Sequence, residues 1–338
     1  MTETLTKQDL VMDIRNLSKR FPVGGLFDSR KVHAVEDVSF QMPRREIVTL
    51  VGESGSGKST TARLLARLIE PTSGEIIYDG KDVLKTEPNG ASLKYRGDVQ
   101  MVFQDPFGSL NPAHPIEYLL ERPLKIHKKV RGRRDTREKI IELLETVGLT
   151  PAAEVAAKFP YELSGGQRQR VAFARALSVE PKVMLADEPV SMLDVSIRVG
   201  VLNLMRRLTE ERGLSFLYIT HDIASARYIG DKTIVMYAGR MMEGAESREL
   251  IEKPAHPYTK LLLSAVPNPH AGLTTREAPT RGEIPSLVDP PPGCPFAARC
   301  PDVMPICREQ ISPPVIISPS HWVRCHMYDG QTMDTAAL

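Results

Sequence analysis

The chain is short of three things. It has no strong charge of one sign, no long apolar run, and little cysteine. The formal net charge is +2, which gives no reason to expect a nucleic-acid partner. No uncharged apolar run reaches the length needed to span a bilayer. The first ten residues, Met1 to Leu10, lack the apolar centre of a secretory leader. The expectation is therefore a cytosolic protein that meets a membrane only through partners. Cysteine is confined to the last quarter of the chain (Cys294, Cys300, Cys307, Cys325). In a reducing compartment that clustering favours a metal site over disulfides.

What is present has the balance of a folded protein, with 41% hydrophobic and 25% charged residues. At 338 residues there is room for two domains, or for one large domain with an appendage. No internal repeat is visible. Met12 to Leu17 reads as a first strand, interrupted by Phe21-Pro22, and Val23 to Lys31 as a loop. Val35 to Met42 alternates like a half-buried strand. Glu46 to Val51 is a β-branched strand ending directly at Gly52-Glu53-Ser54-Gly55-Ser56-Gly57-Lys58-Ser59-Thr60. Helical spacing follows over Lys58 to Glu70, then a strand over Glu75 to Tyr78 and another over Val99 to Phe103. From about Ile116 to Leu177 the pattern is mainly helical. Its clearest helix opens on Asp135, an acidic N-cap with Glu138 three residues on, and stops at Gly148. Strands resume at Lys182 to Ala186 and Ser215 to Thr220, alternating with helices at Arg198 to Arg212 and Ile223 to Ile229. A hairpin turns at Gly239. Alternating strands and helices imply a parallel sheet covered on both faces. Beyond about Pro267 proline becomes so frequent that regular structure cannot run far.

The Gly52 to Thr60 stretch fits the phosphate-binding pattern G-x-x-x-x-G-K-[ST], with the strand before and the helix after that the motif requires. Its backbone N–H groups, Ser54, Gly55 and Gly57 included, would wrap the α- and β-phosphates. Lys58 would reach the β- and γ-phosphates, and the Ser59 hydroxyl would bind Mg²⁺. Val183 to Glu188 is an apolar strand ending in two acids. There Asp187 would hold Mg²⁺ through water, and Glu188 would align and deprotonate an attacking water. His221 also follows a strand. It would donate to the γ-phosphate or to that water, unless it is a plain structural histidine. Gln104 stands at a third strand end, where it would ligate Mg²⁺ or water and begin the connection into the helical region. A second anion site is written in Leu163-Ser164-Gly165-Gly166-Gln167: an N-cap serine, two glycines and a helix behind. One nucleotide-sized core with two phosphate loops needs a reason.

Together these stretches resemble the ATP-binding subunits of ABC transporters, over Met12 to about Pro267. The resemblance implies an α/β fold of the P-loop NTPase class. It would comprise a RecA-like parallel-sheet core, an antiparallel β subdomain and a helical insert over about 105–180, all within residues 11–267. An irregular Cys- and Pro-rich extension over 268–338 would follow. It also implies that two such subunits pack head to tail, so that Ser164, Gly165, Gly166 and Gln167 serve the partner's ATP. Ser191-Met192-Leu193-Asp194 would be the family's D-loop at the seam, with methionine where the family usually has alanine. Phe21 falls where the family stacks an aromatic on adenine; the plain alternative is a core residue.

The stretches His256-Pro257-Tyr258-Thr259-Lys260-Leu261-Leu262, Gly282-Glu283-Ile284-Pro285-Ser286 and Pro290-Pro291-Pro292-Gly293-Cys294-Pro295-Phe296 narrow the resemblance to oligopeptide/dipeptide importers. That implies a paralogous ATP-binding partner (a heterodimer, or a homodimer), two permeases and an extracytoplasmic binding protein, with this chain peripheral on the cytoplasmic side of the membrane. The same branch includes importers of oligosaccharides and other solutes, and a soluble non-transport ABC ATPase is the rival of another class. The four cysteines would carry a [4Fe–4S] cluster or Zn²⁺. His321 and His326 keep a mixed Cys/His zinc site open, and four free thiols are the bland alternative. The basic stretch Arg122 to Lys139 is a solvated loop or a contact for anionic headgroups.

Overall fold

A computed structural model describes residues 9–24, 29–265 and 285–330. The chain builds two sheets. A four-stranded antiparallel sheet has the order β2-β1-β4-β5, from β1 (Leu10–Pro22), β2 (Lys31–Pro43), β4 (Ser73–Tyr78) and β5 (Lys81–Asp82). An eight-stranded sheet has the order β11-β12-β10-β9-β3-β8-β7-β6. Its strands are β3 (Ile47–Val51), β6 (Val99–Val102), β7 (Val183–Asp187), β8 (Ser215–Thr220), β9 (Lys232–Tyr237), β10 (Arg240–Glu246), β11 (Val315–Ser318) and β12 (His321–Val323). From β9 through β6 the neighbours run parallel; from β9 to β11 they run antiparallel.

The central parallel strands β3, β7 and β8 are buried along their whole length because both faces are covered. Successive side chains point to opposite faces. Met184, Ala186, Phe216 and Tyr218 therefore join one core with the helical insert. Val183, Leu185, Leu217 and Ile219 join another with the antiparallel sheet. A third core, under β9 and β10, includes Phe296 from the proline-rich tail. The insert holds helices at Ile116–Ile126, Arg133–Thr146, Ala152–Ala157 and Gly165–Leu177.

Several boundaries differ from the sequence reading. Phe21 and Pro22 do not interrupt β1, which runs through Pro22 against Lys31. Pairing to β4 has already stopped at Ser18, so the missing proline N–H faces no strand on that side. The helix expected to reach Glu70 ends at Leu65. Arg67 takes a left-handed φ of 52°, and its buried guanidinium donates to the Val83 carbonyl at 3.0 Å. Asp135 is not an N-cap; the helix begins at Arg133 with Gly132 as its cap. The Gly132 carbonyl accepts from both the Thr136 N–H (2.9 Å) and the Thr136 hydroxyl (2.7 Å), while Asp135 accepts from the Arg131 N–H. The tail is not irregular throughout. Its strands β11 and β12 extend the main sheet beyond β10. The Gly282-Glu283-Ile284 part of the sequence motif and the boundary near Pro267 lie outside the described residues.

Candidate nucleotide site

The phosphate loop leaves the carboxyl end of β3, the sheet edge where ligands bind in parallel α/β folds. Gly52 has no room for a side chain, since a Cβ there would lie 2.1 Å from the Met236 carbonyl oxygen. Gly57 has a φ of 101°, and a Cβ there would lie 2.4 Å from the Ala34 carbonyl oxygen. Ser54 and Gly55 stand exposed at the tip. Lys58 is buried, and its ammonium donates to the Gly52 and Glu53 carbonyls at 2.7 and 2.8 Å. Burial pulls its pKa down; Glu188, Asp187 and Glu53 pull it back up. Ser59 and Thr60 occupy the first turn behind it.

The strand-end residues converge on this loop. The Ser59 hydroxyl donates to Asp187 Oδ1 at 2.8 Å. Asp187 is buried at the end of β7, and burial pushes its carboxyl above the ordinary range. These two oxygens suit a Mg²⁺ ion arriving with a nucleotide. Glu188 turns away from Asp187. Its backbone sits at φ 45°, a left-handed conformation that costs a residue with a side chain about 1–3 kcal/mol. The Ile219 carbonyl accepts its N–H, and Ser191 donates to its carbonyl through both N–H and hydroxyl. So held, the Glu188 carboxylate meets Gln104 Nε2 at 3.1 Å and His221 Nδ1 at 3.2 Å. Gln104, expected on Mg²⁺ or water, is turned with its amide N–H₂ toward Glu188. Phe21 is partly exposed, with the Lys19 ammonium 5.0 Å from its ring centroid. It pairs with Val32, two residues along β2 from the Ala34 that touches the loop.

The second glycine loop opens the Gly165–Leu177 helix of the insert. Ser164 caps the Gly165–Leu177 helix in a capping box: its hydroxyl accepts from Gln167 N–H, and its own N–H donates to Gln167 Oε1. Gly166 packs against Ile197, where a Cβ would come within 2.4 Å. The helix behind packs on the Ile116–Ile126 and Arg133–Thr146 helices and on β6. Three strand spacings separate β6 from β3, roughly 14 Å of sheet width. Asp194 begins the Val195–Arg212 helix and is exposed, as is Met192 beside it.

A family model described as "ABC transporter" matches residues 35–191. One for the C-terminal region of oligopeptide/dipeptide transporters matches residues 242–307. The oligopeptide transport ATP-binding protein AppF of Bacillus subtilis is 44% identical over 330 residues, 96% of this chain and 99% of that protein. The chain belongs to the ATP-binding proteins of ABC transporters. The dipeptide transport ATP-binding protein DppF of Escherichia coli is 44% identical over 301 residues, covering 88% of this chain and 89% of DppF. Among solved ABC cassettes, CbiO1 of Clostridium perfringens, part of the CbiONQ transporter complex, superposes with a TM-score of 0.62 at 25% identity. It covers 72% of this chain and 92% of its own. The cassette MJ0796, solved as a post-hydrolysis dimer with ADP and Pi, gives 0.60 at 30% identity over 70% and 99%. No helix among the described residues is long and apolar enough to cross a membrane.

The cysteines of this ABC protein gather but do not form a ready ligand set. Cys294, Cys300, Cys307 and Cys325 line one small cavity with His256 and His326. Burial pushes the Cys294 thiol up to about 12, and the other three cysteines add to the shift. Among the described residues, however, no group of three or more His, Cys, Asp or Glu stands ready to hold a metal ion. His321 lies apart, its Nε2 against Glu243 at 2.7 Å.

Two features of the site went unread in the sequence. Ser191, taken only as the start of the D-loop, holds the Glu188 backbone. Glu53, an unassigned position of the phosphate loop, is bound by Arg299 from the tail. A charged residue inside a glycine loop is the one signal that could have drawn attention to it.

Proposed function

We propose that the chain hydrolyses ATP as the energy-supplying subunit of an importer of oligopeptides or dipeptides. The observation that carries this is the convergence of Lys58, the Ser59–Asp187 pair and the Gln104–Glu188–His221 cluster at one sheet edge. The loop N–H groups and Lys58 bind the phosphates. Ser59 and Asp187 would hold the Mg²⁺ that accompanies ATP, which would supply neutralisation of phosphate charge. Glu188 accepts a proton from the attacking water, while Lys58 and His221 stabilise the charge that develops on the γ-phosphate.

The Ser164 loop, with its N-cap serine and two glycines at a helix start, contacts the ATP of a second subunit packed head to tail, with the exposed Asp194 and Met192 along the seam. That second subunit is a paralogue, with a second copy of this chain as the alternative. The pair sits on two permeases at the cytoplasmic face of the membrane, fed by an extracytoplasmic binding protein. Peptide cargo is supported by the names of AppF and DppF and by the match to the peptide-transporter C-terminal region. The test is Glu188→Gln. It should cut steady-state ATP turnover at least about a hundred-fold and let ATP-loaded dimers accumulate in size-exclusion chromatography. Wild-type turnover by that variant would remove Glu188 as the general base.

The cysteine cavity belongs to the same reading as a [4Fe–4S] or, alternatively, a Zn²⁺ site. Burial raises the thiol pKa of Cys294, Cys300 and Cys325, and neighbouring cysteines add to each shift, so a cation in the shared pocket would be what stabilises them as thiolates. Anaerobically purified chain should show visible iron–sulfur absorbance with stoichiometric iron, or else stoichiometric zinc. Four titratable thiols with neither metal would end that assignment.

A further inference from the structure

The phosphate loop is braced from outside the ATP-binding core. Arg299 belongs to the cysteine-bearing tail and stands next to Cys300 in sequence, yet its guanidinium reaches Glu53. Nη1 lies 2.7 Å from Oε2 and Nη2 lies 3.0 Å from Oε1, a two-pronged ion pair. The Arg299 side chain is 9% exposed and that of Glu53 27%, so the pair is largely removed from water. Nη1 also approaches the Tyr237 hydroxyl at 3.2 Å, and the guanidinium carbon stands 5.7 Å from the ring centroids of Tyr237 and Phe296. Tyr258 completes the brace by accepting the Glu53 N–H at 2.9 Å. The Glu53 carbonyl in turn accepts from Lys58. All three polar groups of Glu53 are therefore engaged, two of them by residues C-terminal to β10.

This arrangement answers an electrostatic difficulty. Glu53 puts a carboxylate into a loop whose task is to bind the phosphates of a nucleotide. Unneutralised, it would repel them. We propose that Arg299 is a positioning residue for nucleotide binding, holding the loop at Glu53 and cancelling the Glu53 charge from the tail side. It touches the loop and not the nucleotide. The consequence is that phosphate affinity depends on a correctly seated tail. This rests on the reading that the loop binds ATP.

Equilibrium titration of the full-length chain with Mg·ADP tests it. Arg299→Gln should weaken binding roughly five-fold. The double variant Glu53→Gln/Arg299→Gln, which removes both charges, should return to within about two-fold of wild type. A purely structural arginine would not be rescued by neutralising its partner. Binding unchanged in Arg299→Gln, or a double variant as weak as the single one, would overturn the proposal. If Arg299→Gln does not fold, Arg299→Lys carries the test, because lysine keeps the charge but loses the fork. Binding within about two-fold of wild type then supports the proposal, and binding roughly five-fold weaker or worse, despite the retained charge, overturns it. A wild-type chain that binds no nucleotide would sink the ATPase reading as well; a missing variant effect sinks this inference alone.

Discussion

Asp187 shows how a single residue can be set against its own fold. It lies buried at the end of β7, and burial raises its carboxyl pKa, with Glu188 adding to the push and Ser59, Arg63 and Lys58 offsetting it. A carboxyl raised in the folded state favours folding most at low pH. That contribution disappears as pH climbs from the ordinary carboxylate value through the folded one, so at neutral pH the ionised group costs stability. A cation beside it reverses the sign. Asparagine at this position still accepts the Ser59 hydroxyl but cannot ionise. Asp187→Asn should therefore melt higher than wild type at pH 7 without nucleotide, by about 1 kcal/mol or a few degrees. The gap should close as pH approaches 4, and ATP turnover should fall about a hundred-fold. Calorimetry across that pH range checks it; a variant melting at or below wild type at pH 7 would show that burial of this charge carries no cost.

At the scale of elements, the sequence was most legible where one strand carries its own chemistry at its end. Glu46 to Val51 running into the glycines, and Val183 to Ala186 running into Asp187 and Glu188, place the two halves of the site without any long-range knowledge. Hydrophobic continuity marks a strand covered on both faces, and a parallel sheet then brings its strand ends together. What stayed unreadable depends on partners far away in the chain. Val315 to Ser318 is β-branched, but Pro313, Pro314 and Pro319 surround it. Its status as a strand comes from β12, and that of β12 comes from β10. Even the fit is non-local: Trp322 lies flat against Gly244, where a Cβ would come within 2.7 Å of the indole. The Glu53–Arg299 pair spans 246 residues, and no local pattern encodes it. Helix ends erred for a nearer reason. Asp135 offers a cap pattern in the sequence, but Gly132 offers a carbonyl that Thr136 satisfies twice, so the helix is capped three residues earlier.

For the whole molecule, the question is whether the tail is an appendage or part of the ATP-binding body. Three contacts argue for the second. Glu243 on β10 is fully buried, and its carboxylate accepts the Ala255 and His256 N–H groups and pairs with His321 of β12. Phe296 is 1% exposed between Tyr237 and Tyr258, the tyrosine that holds the phosphate loop. The strands β12 and β11 cover the β10 edge, which would otherwise present unpaired N–H and C=O groups. Burial of Phe296, Val315, Ile316 and Val323 alone is worth about 8 kcal/mol before the cost of ordering the tail. A chain ending after Ser264 loses Phe296, His321 and both tail strands, leaves Glu243 bonded only to the Ala255 and His256 N–H groups, and frees the Glu53 carboxylate. It should melt at least about 5 °C lower, aggregate more readily through β10, and bind Mg·ADP more weakly than Arg299→Gln does. Its visible signature is a loss of nucleotide affinity with every residue of the glycine loop intact. An appendage predicts the opposite, a shortened chain with the melting temperature and nucleotide affinity of the full one, and that result would return the tail to the status its proline content first suggested.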